Sequence, residues 1–435
     1  MRKKNRVLLC TIFYLAGIVT FSLYGLELNK LTVPDSSVCR KELVDSWFEQ
    51  EYEVLKNKTT EFVQNELGQR FAVRFEELDS EIAIIVAPEV YQSVNVINQD
   101  SSSTQMLPTF PSESCGSWIL FRDKKTGKPL RIRYYFMNDS EVYIQFKPNG
   151  NNSLADFYIF GSYPANSVSL SIPFSAFYSL SFSTIKQLTE YVLPWKYIDI
   201  NKEMYRSTYS MVTIINNILA EKQLPSDLDN LHFLKWMVDG IVIPLAGNPL
   251  KEEVLDIPTT ARVQESLAGS ISNGYPVYKS YDWIRNLAAA AISVISGVDY
   301  ETNKAGIDVS LEPFSFYENK NGSLERVGYV ANSGYPCHIL KPLLYVLSVV
   351  EPDRFFLGAI RQRDMKPKTE INYYNKAAAF LPYFDEANKF FVSVFIEGKE
   401  MSLEKFLEEY NDTFIYLVRI KSSDRFYPEK KLDNE

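Results

Sequence analysis

A chain of 435 residues with 46% hydrophobic and 23% charged residues has an ordinary globular composition and room for two or three domains. Its formal net charge of −8 argues against binding to nucleic-acid phosphates or anionic lipid surfaces, both of which need an excess of lysine and arginine. Its two histidines, His232 and His338, lie in no ligand-spaced cluster of histidine or cysteine, so we expect neither a metal site nor a cofactor.

The first 25 residues are typical of a secretory signal peptide. A basic start, with Arg2 and Arg6 at its ends, precedes an apolar run over 7–23. That run is shorter than the roughly 20 apolar residues that a spanning helix needs. Gly25 is the best candidate for the cleavage position. We therefore predict an exported protein, periplasmic or extracellular, which is held at a membrane only if this segment stays uncleaved.

The predicted N-terminal domain, residues 26–180, combines a helix with an antiparallel β-meander. Apolar residues at near-helical spacing predict a helix over 40–68, which Gly68 would end. Aromatic residues make up 14% of the chain and suit half-buried strands. Apolar residues in runs or in alternation, with turn residues between them, predict strands at 71–75, 82–86, 118–122, 130–136, 142–146, 154–160 and 168–172.

Residues 181–260 form a predicted helical middle segment. One helix is predicted over 202–221, where apolar residues follow one side. A second helix is expected to begin at the N-cap residue Ser226 and to end near Gly240. Polar and irregular residues over 248–273 then indicate a domain junction.

The predicted C-terminal α+β domain covers residues 270–421. Helices are predicted over 280–295, 339–350 and 403–410. Gly297 would end the first of these helices, and Ser402 is the expected N-cap of the last. Strands are predicted over 355–360, 377–383, 390–396 and 413–420. The chain as a whole is therefore predicted to have an α+β fold.

Three cysteines follow the predicted signal peptide: Cys39, Cys115 and Cys337. An oxidising compartment would permit a disulfide, for which Cys39 and Cys115 are the natural pair. Three buried thiols that pack as small apolar groups explain the same residues equally well. The sequence leaves both alternatives open.

A helix followed by antiparallel strands is the element order of a papain-like core, and three segments carry a closer likeness. They are Tyr-Asp-Trp-Ile-Arg-Asn-Leu at 281–287, Glu-Pro-Asp-Arg-Phe-Phe at 351–356 and Lys-Ala-Ala-Ala-Phe-Leu at 376–381. Through them, residues 274–420 resemble the NlpC-type branch of the papain-like cysteine peptidases, whose bacterial members cut cell-wall peptides. The resemblance implies a papain-like C-terminal domain.

The same resemblance places a nucleophilic cysteine at the helix start and a histidine on a following strand. Trp283 stands at the cysteine position and Lys376 at the histidine position. An indole has no ionisable nucleophile, and lysine does not orient and deprotonate a thiol as imidazole does. The resemblance therefore implies a pseudoenzyme that keeps a groove, unless Trp283 is simply a core aromatic residue.

Two weaker candidates for chemistry remain. Cys337 and His338 are adjacent, so their side chains are expected to point apart, although a helix start near Cys337 would lower the pKa of its thiol. Carboxylates in one polar loop would bind a hard cation or stay solvated. They are Asp299, Glu301, Asp308 and Glu312.

The leading hypothesis is an exported, non-catalytic protein that binds a cell-envelope component, such as a cell-wall peptide, or a protein partner. The alternative is a papain-like hydrolase that acts on cell-wall peptides through Cys337 and His338 or through the acidic loop. A third hypothesis is a purely structural envelope protein. No nucleic-acid partner is expected.

Overall fold

The computed structural model describes residues 33–98, 101–225, 228–259, 278–331, 333–364, 371–385 and 389–430. The predicted signal peptide and the predicted N-cap Ser226 lie outside these ranges. Within them, no helix is both long enough and apolar enough to cross a membrane. The α-helices are α1 Ser37–Leu43, α2 Tyr52–Leu55, α3 Phe182–Thr189, α4 Arg206–Ala220, α5 Asn230–Ala246, α6 Lys279–Ser296, α7 Leu340–Val350 and α8 Leu403–Tyr410.

The first sheet has ten antiparallel strands and contains the predicted meander. Its strands are β1 Glu61–Gln64, β2 Arg70–Glu77, β3 Glu81–Pro88, β6 Trp118–Asp123, β7 Pro129–Tyr135, β8 Val142–Asn149, β9 Asn152–Ile159, β10 Ser162–Leu170, β11 Phe316–Glu318 and β12 Leu324–Glu325. Their order in the sheet follows this sequence order. Strands β2, β3 and β6 to β9 confirm the predicted strands, and β10 begins at Ser162 instead of at 168. Strands β11 and β12 come from beyond the predicted N-terminal domain.

A separate hairpin leaves this sheet between β3 and β6. Strands β4 Val90–Asn98 and β5 Ser101–Thr109 pair with each other along their whole length. Tyr91 and Met106 are each 58% exposed on this arm. Sequence patterns did not indicate the hairpin because its second strand, β5, begins with the five polar residues Ser-Ser-Ser-Thr-Gln and lacks alternating apolar residues.

The predicted single helix over 40–68 is wrong. Helix α1 passes into a π-helical turn, Val44–Phe48, and the short α2 is followed by the edge strand β1. The π turn inserts one extra residue per turn, and both Trp47 and Phe48 are buried against the first sheet. The chain between α1 and β1 is therefore a series of short helical turns and not one helix.

The second sheet has six antiparallel strands in the order β13-β18-β14-β15-β16-β17. They are β13 Tyr335–Pro336, β14 Arg354–Asp364, β15 Ile371–Phe384, β16 Phe390–Ile396, β17 Lys399–Ser402 and β18 Phe414–Lys421. Helices α4, α5 and α6 pack on one face of this sheet. Helices α7 and α8 lie on the other face, where one continuous hydrophobic core also includes the first sheet. The α+β class is therefore confirmed.

The two helices of the predicted middle segment are present as α4 and α5. The prediction that the second helix begins at Ser226 is wrong, because the N-cap of α5 is Asp229, whose carboxylate accepts hydrogen bonds from the backbone N–H groups of Leu231 and His232. The predicted helix end at Gly240 is wrong, because α5 continues to Ala246. A Cβ at Gly240 would lie 2.6 Å from the Phe426 ring, so glycine is needed there for close packing rather than as a cap.

Candidate functional site

Trp283 lies in the first turns of α6 and is buried, with 3% of its surface exposed. It belongs to the hydrophobic cluster that joins α4, α5 and α6 to the second sheet. Its ring centroid is 5.5 Å from that of His232 on α5. Its indole N–H finds no hydrogen-bond partner among the described residues. Trp283 is therefore a packed aromatic residue under the helical layer.

Lys376 lies on β15 and points to the other face of the same sheet. The neighbouring Ala377 contributes to the helical cluster, whereas Ala378 contributes to the core between the two sheets. The Lys376 ammonium is 3.2 Å from a carboxylate oxygen of Glu397. The structure therefore does not bring Lys376 and Trp283 together, and this pair does not line one groove.

Cys337 and His338 lie in a short 3-10 turn before α7. The Cys337 thiol is fully buried, and burial raises its pKa above the ordinary value. The His338 ring is half-buried against Tyr317, with 4.9 Å between ring centroids, and burial lowers the pKa of its imidazole. A thiol that resists ionisation is a poor nucleophile. The position before α7 therefore does not activate Cys337.

We expect Cys337, together with Cys39 and Cys115, to label slowly with a thiol reagent in the native protein. All three are buried and form no disulfide, and burial raises the pKa of the Cys115 thiol to about 12. Peptide mapping after brief exposure at pH 7 should show little modification of any of them, and full modification after denaturation in guanidinium. Rapid native labelling of Cys337 would contradict this assignment and revive a nucleophilic role.

The acidic loop does not assemble a cation site. The Asp308 carboxylate forms a two-pronged ion pair with Arg285, at 2.9 and 2.8 Å. Glu301 pairs with Lys304 at 2.8 Å. Across the described ranges, no group of three or more histidine, cysteine, aspartate or glutamate residues is placed to hold a metal ion.

A polar cleft that the sequence did not indicate opens where the two sheets meet. Its volume is about 570 Å³, within the range usual for small-molecule sites. It is lined by Arg74, Pro111, Ser112, Glu113, Asn138, Asp139, Ser140, Glu141, Lys341 and Lys389. These residues come from β2, the segment before β6, the β7–β8 loop, the start of α7 and the β15–β16 loop. We call this feature the cleft.

The cations of the cleft are Arg74, which pairs with Glu76 at 3.0 Å, and two lysines from the second half of the chain. The Lys341 ammonium is 3.2 Å from a Glu141 carboxylate oxygen and lies 4.3 Å from the Phe160 ring centroid. This contact ties α7 to the β7–β8 loop. Lys389 is exposed at the β15–β16 loop, with its ammonium 5.7 Å from the Phe391 ring centroid. No carboxylate of the described residues forms an ion pair with Lys389.

The carboxylate side is formed by Asp139 and Glu113. One Asp139 oxygen accepts a hydrogen bond of 3.0 Å from the Glu141 backbone N–H. Burial raises the pKa of the Asp139 carboxyl, although the positive charges of Lys341 and Lys389 act in the opposite direction. Asp139 forms no ion pair within the described residues. Glu113 accepts a long hydrogen bond of 3.4 Å from the Tyr135 hydroxyl.

Comparison with known proteins adds one finding. Residues 29–197 match a family model described as Domain of unknown function (DUF8515). No curated protein and no solved structure matches the chain. The matched segment contains the first eight of the ten cleft residues, whereas Lys341 and Lys389 lie beyond it. The cleft is thus completed by residues outside the match.

Proposed function

We propose that this protein is an exported, non-catalytic binding protein whose ligand is a cell-envelope component or a protein partner. The observation that carries the proposal is the cleft, which presents cations and carboxylates and whose described lining includes neither cysteine nor histidine. Ligand sites are commonly concave and hold a few convergent polar groups. The basic and apolar start of the chain supports export.

We also propose that residues 274–420 descend from a papain-like domain. A helix before a sheet of antiparallel strands supports it, since α6 packs on β14, β15 and β18. The opposite faces occupied by Trp283 and Lys376 speak against a preserved papain-like groove. The cleft therefore carries the proposed binding role, and no assembled catalytic group among the described residues supports the hydrolase alternative.

The test measures binding and turnover together. The full chain is mixed with an isolated envelope fraction, and both co-sedimentation and release of soluble peptide fragments are followed. We expect co-sedimentation without fragment release. Lys389→Glu should reduce binding roughly tenfold or more, because it reverses a charge at the cleft. Lys186→Glu is the matched control, because Lys186 pairs with Asp199 outside the cleft.

Three outcomes would contradict the proposal. Release of fragments by the purified chain would show turnover, provided that a point variant abolishes it. Equal co-sedimentation of the Lys389→Glu and Lys186→Glu variants would remove the cleft from the binding surface. Detection of the unprocessed chain only inside cells would contradict export.

A further inference from the structure

We infer that the cleft binds a small zwitterionic ligand, which carries an ammonium group and a carboxylate, such as a short peptide with free ends. This inference rests on the proposed binding role and names the chemical class of the ligand. It is drawn from the pairing pattern of the charged groups in the cleft.

Asp139 and Glu113 provide the place for an ammonium group. Asp139 is only partly exposed. Among the described residues, its carboxylate accepts one hydrogen bond, from the Glu141 backbone N–H. A carboxylate withdrawn from water normally has a cationic partner or several hydrogen bonds. A ligand ammonium in the cleft would supply what Asp139 lacks, and Glu113 lines the same cleft.

Lys389 and Lys341 provide the place for a carboxylate. Lys389 has no carboxylate partner in the described part of the chain, whereas Lys341 already shares its charge with Glu141. A ligand carboxylate would therefore meet one unpaired ammonium and one that is partly neutralised. A ligand of one sign only would leave either Asp139 or Lys389 facing a like charge.

The stability of the protein offers an independent readout. Because the pKa of Asp139 is raised on folding, ionising it disfavours the folded state as the pH rises through that pKa. The facing charges are Glu141, Lys341 and Lys389. Asp139→Asn removes this ionisation and keeps an oxygen for the Glu141 N–H. Its melting temperature at pH 7 should be unchanged or higher, as expected where a residue serves binding rather than stability.

The test uses dialanine and two derivatives as probes, with calorimetry on the full chain. We expect dialanine to bind with a dissociation constant of about 1 mM or lower. N-acetyl-dialanine, which lacks the ammonium, and dialanine amide, which lacks the carboxylate, should each bind roughly tenfold more weakly.

The variants assign each end of the ligand. Asp139→Asn should weaken the binding of dialanine. It should leave the affinity for N-acetyl-dialanine unchanged, because this probe has no ammonium group for Asp139 to bind. Lys389→Gln should weaken dialanine but leave dialanine amide unchanged. Asp199→Asn, which removes a carboxylate outside the cleft, should alter none of the three affinities.

Three results would overturn the ligand class. They are no binding of any probe up to about 10 mM, equal binding of dialanine and N-acetyl-dialanine, and equal weakening of both probes by Asp139→Asn. If Lys389-dependent envelope binding persists in these cases, the proposed binding role stands with a ligand of another class. If that binding is also absent, both proposals fail.

Discussion

Replacing Gly334 by alanine should lower the free energy of unfolding by about 4 kcal/mol or more, or prevent folding altogether. Gly334 has a φ of +83°, directly before β13. An added Cβ would overlap the carbonyl oxygen of Ile415 and lie 2.7 Å from the Cα of Tyr416. Both atoms belong to the backbone of β18, which is fixed between β13 and β14. The clash can be relieved only by moving a paired strand.

Gly150→Ala is the matched control for this prediction. Gly150 has a φ of +60°, but an added Cβ would meet nothing within 4 Å. Its substitution should therefore lower the free energy of unfolding by only about 1 kcal/mol, which is the cost of placing alanine in the left-handed conformation. Urea denaturation followed by tryptophan fluorescence gives both values. If the two variants lose equal stability, the contact with β18 is not the cause of the destabilisation by Gly334→Ala.

Arg40→Met should destabilise the protein by about 3 to 5 kcal/mol, because it removes a fully buried charge that organises several backbone groups. Arg40 has no exposed surface. Its guanidinium donates hydrogen bonds to the carbonyl oxygens of Phe177 at 2.7 Å, Tyr178 at 3.1 Å and Leu180 at 2.8 Å. Methionine leaves these carbonyls without their donor, and unpaired buried carbonyls carry the full cost of lost hydration.

The planar shape of the Arg40 side chain matters as much as its charge. Its guanidinium lies 5.1 Å from the Trp118 ring centroid and 5.8 Å from that of Tyr134. Arg40→Lys keeps the charge but cannot reach three carbonyls from one plane, so it should recover only part of the lost stability. Lys41→Met, at an exposed neighbour, should change stability by less than about 0.5 kcal/mol. Full recovery by lysine would refute the argument from shape.

Local signals explain which elements the sequence predicts well. Helix α8 was predicted with its observed bounds because Ser402 accepts a hydrogen bond from the Lys405 backbone N–H, a contact encoded within four residues. Gly297 likewise ends α6 with a φ of +68°. Strand β16 follows the same rule, since its apolar run is bounded by turn residues. Contacts between residues that are close together in the chain can be predicted from a single sequence.

The cleft was invisible to the same reasoning because no local pattern unites its residues. Asp139 lies between the predicted strands at 130–136 and 142–146, and Lys341 lies within the predicted helix over 339–350. Their proximity depends on how α7 docks on the first sheet, through contacts between residues some 200 positions apart. The sequence likewise did not indicate that Trp283 and Lys376 lie on opposite sides of the second sheet, because a short motif gives no information about which face of a sheet a residue occupies.

The core shared by the two sheets has a consequence for biosynthesis. The Tyr345 hydroxyl on α7 donates a hydrogen bond of 2.9 Å to the Tyr197 carbonyl oxygen, and its ring packs 5.5 Å from that of Phe160. The segment that matches the family model ends at residue 197, so it is complete long before α7 emerges from the ribosome. Its apolar inner surface stays uncovered during that interval, which exposes a nascent chain to association with chaperones. The matched segment, residues 29–197, thus shares its hydrophobic core with α7 and is not a separate folding unit.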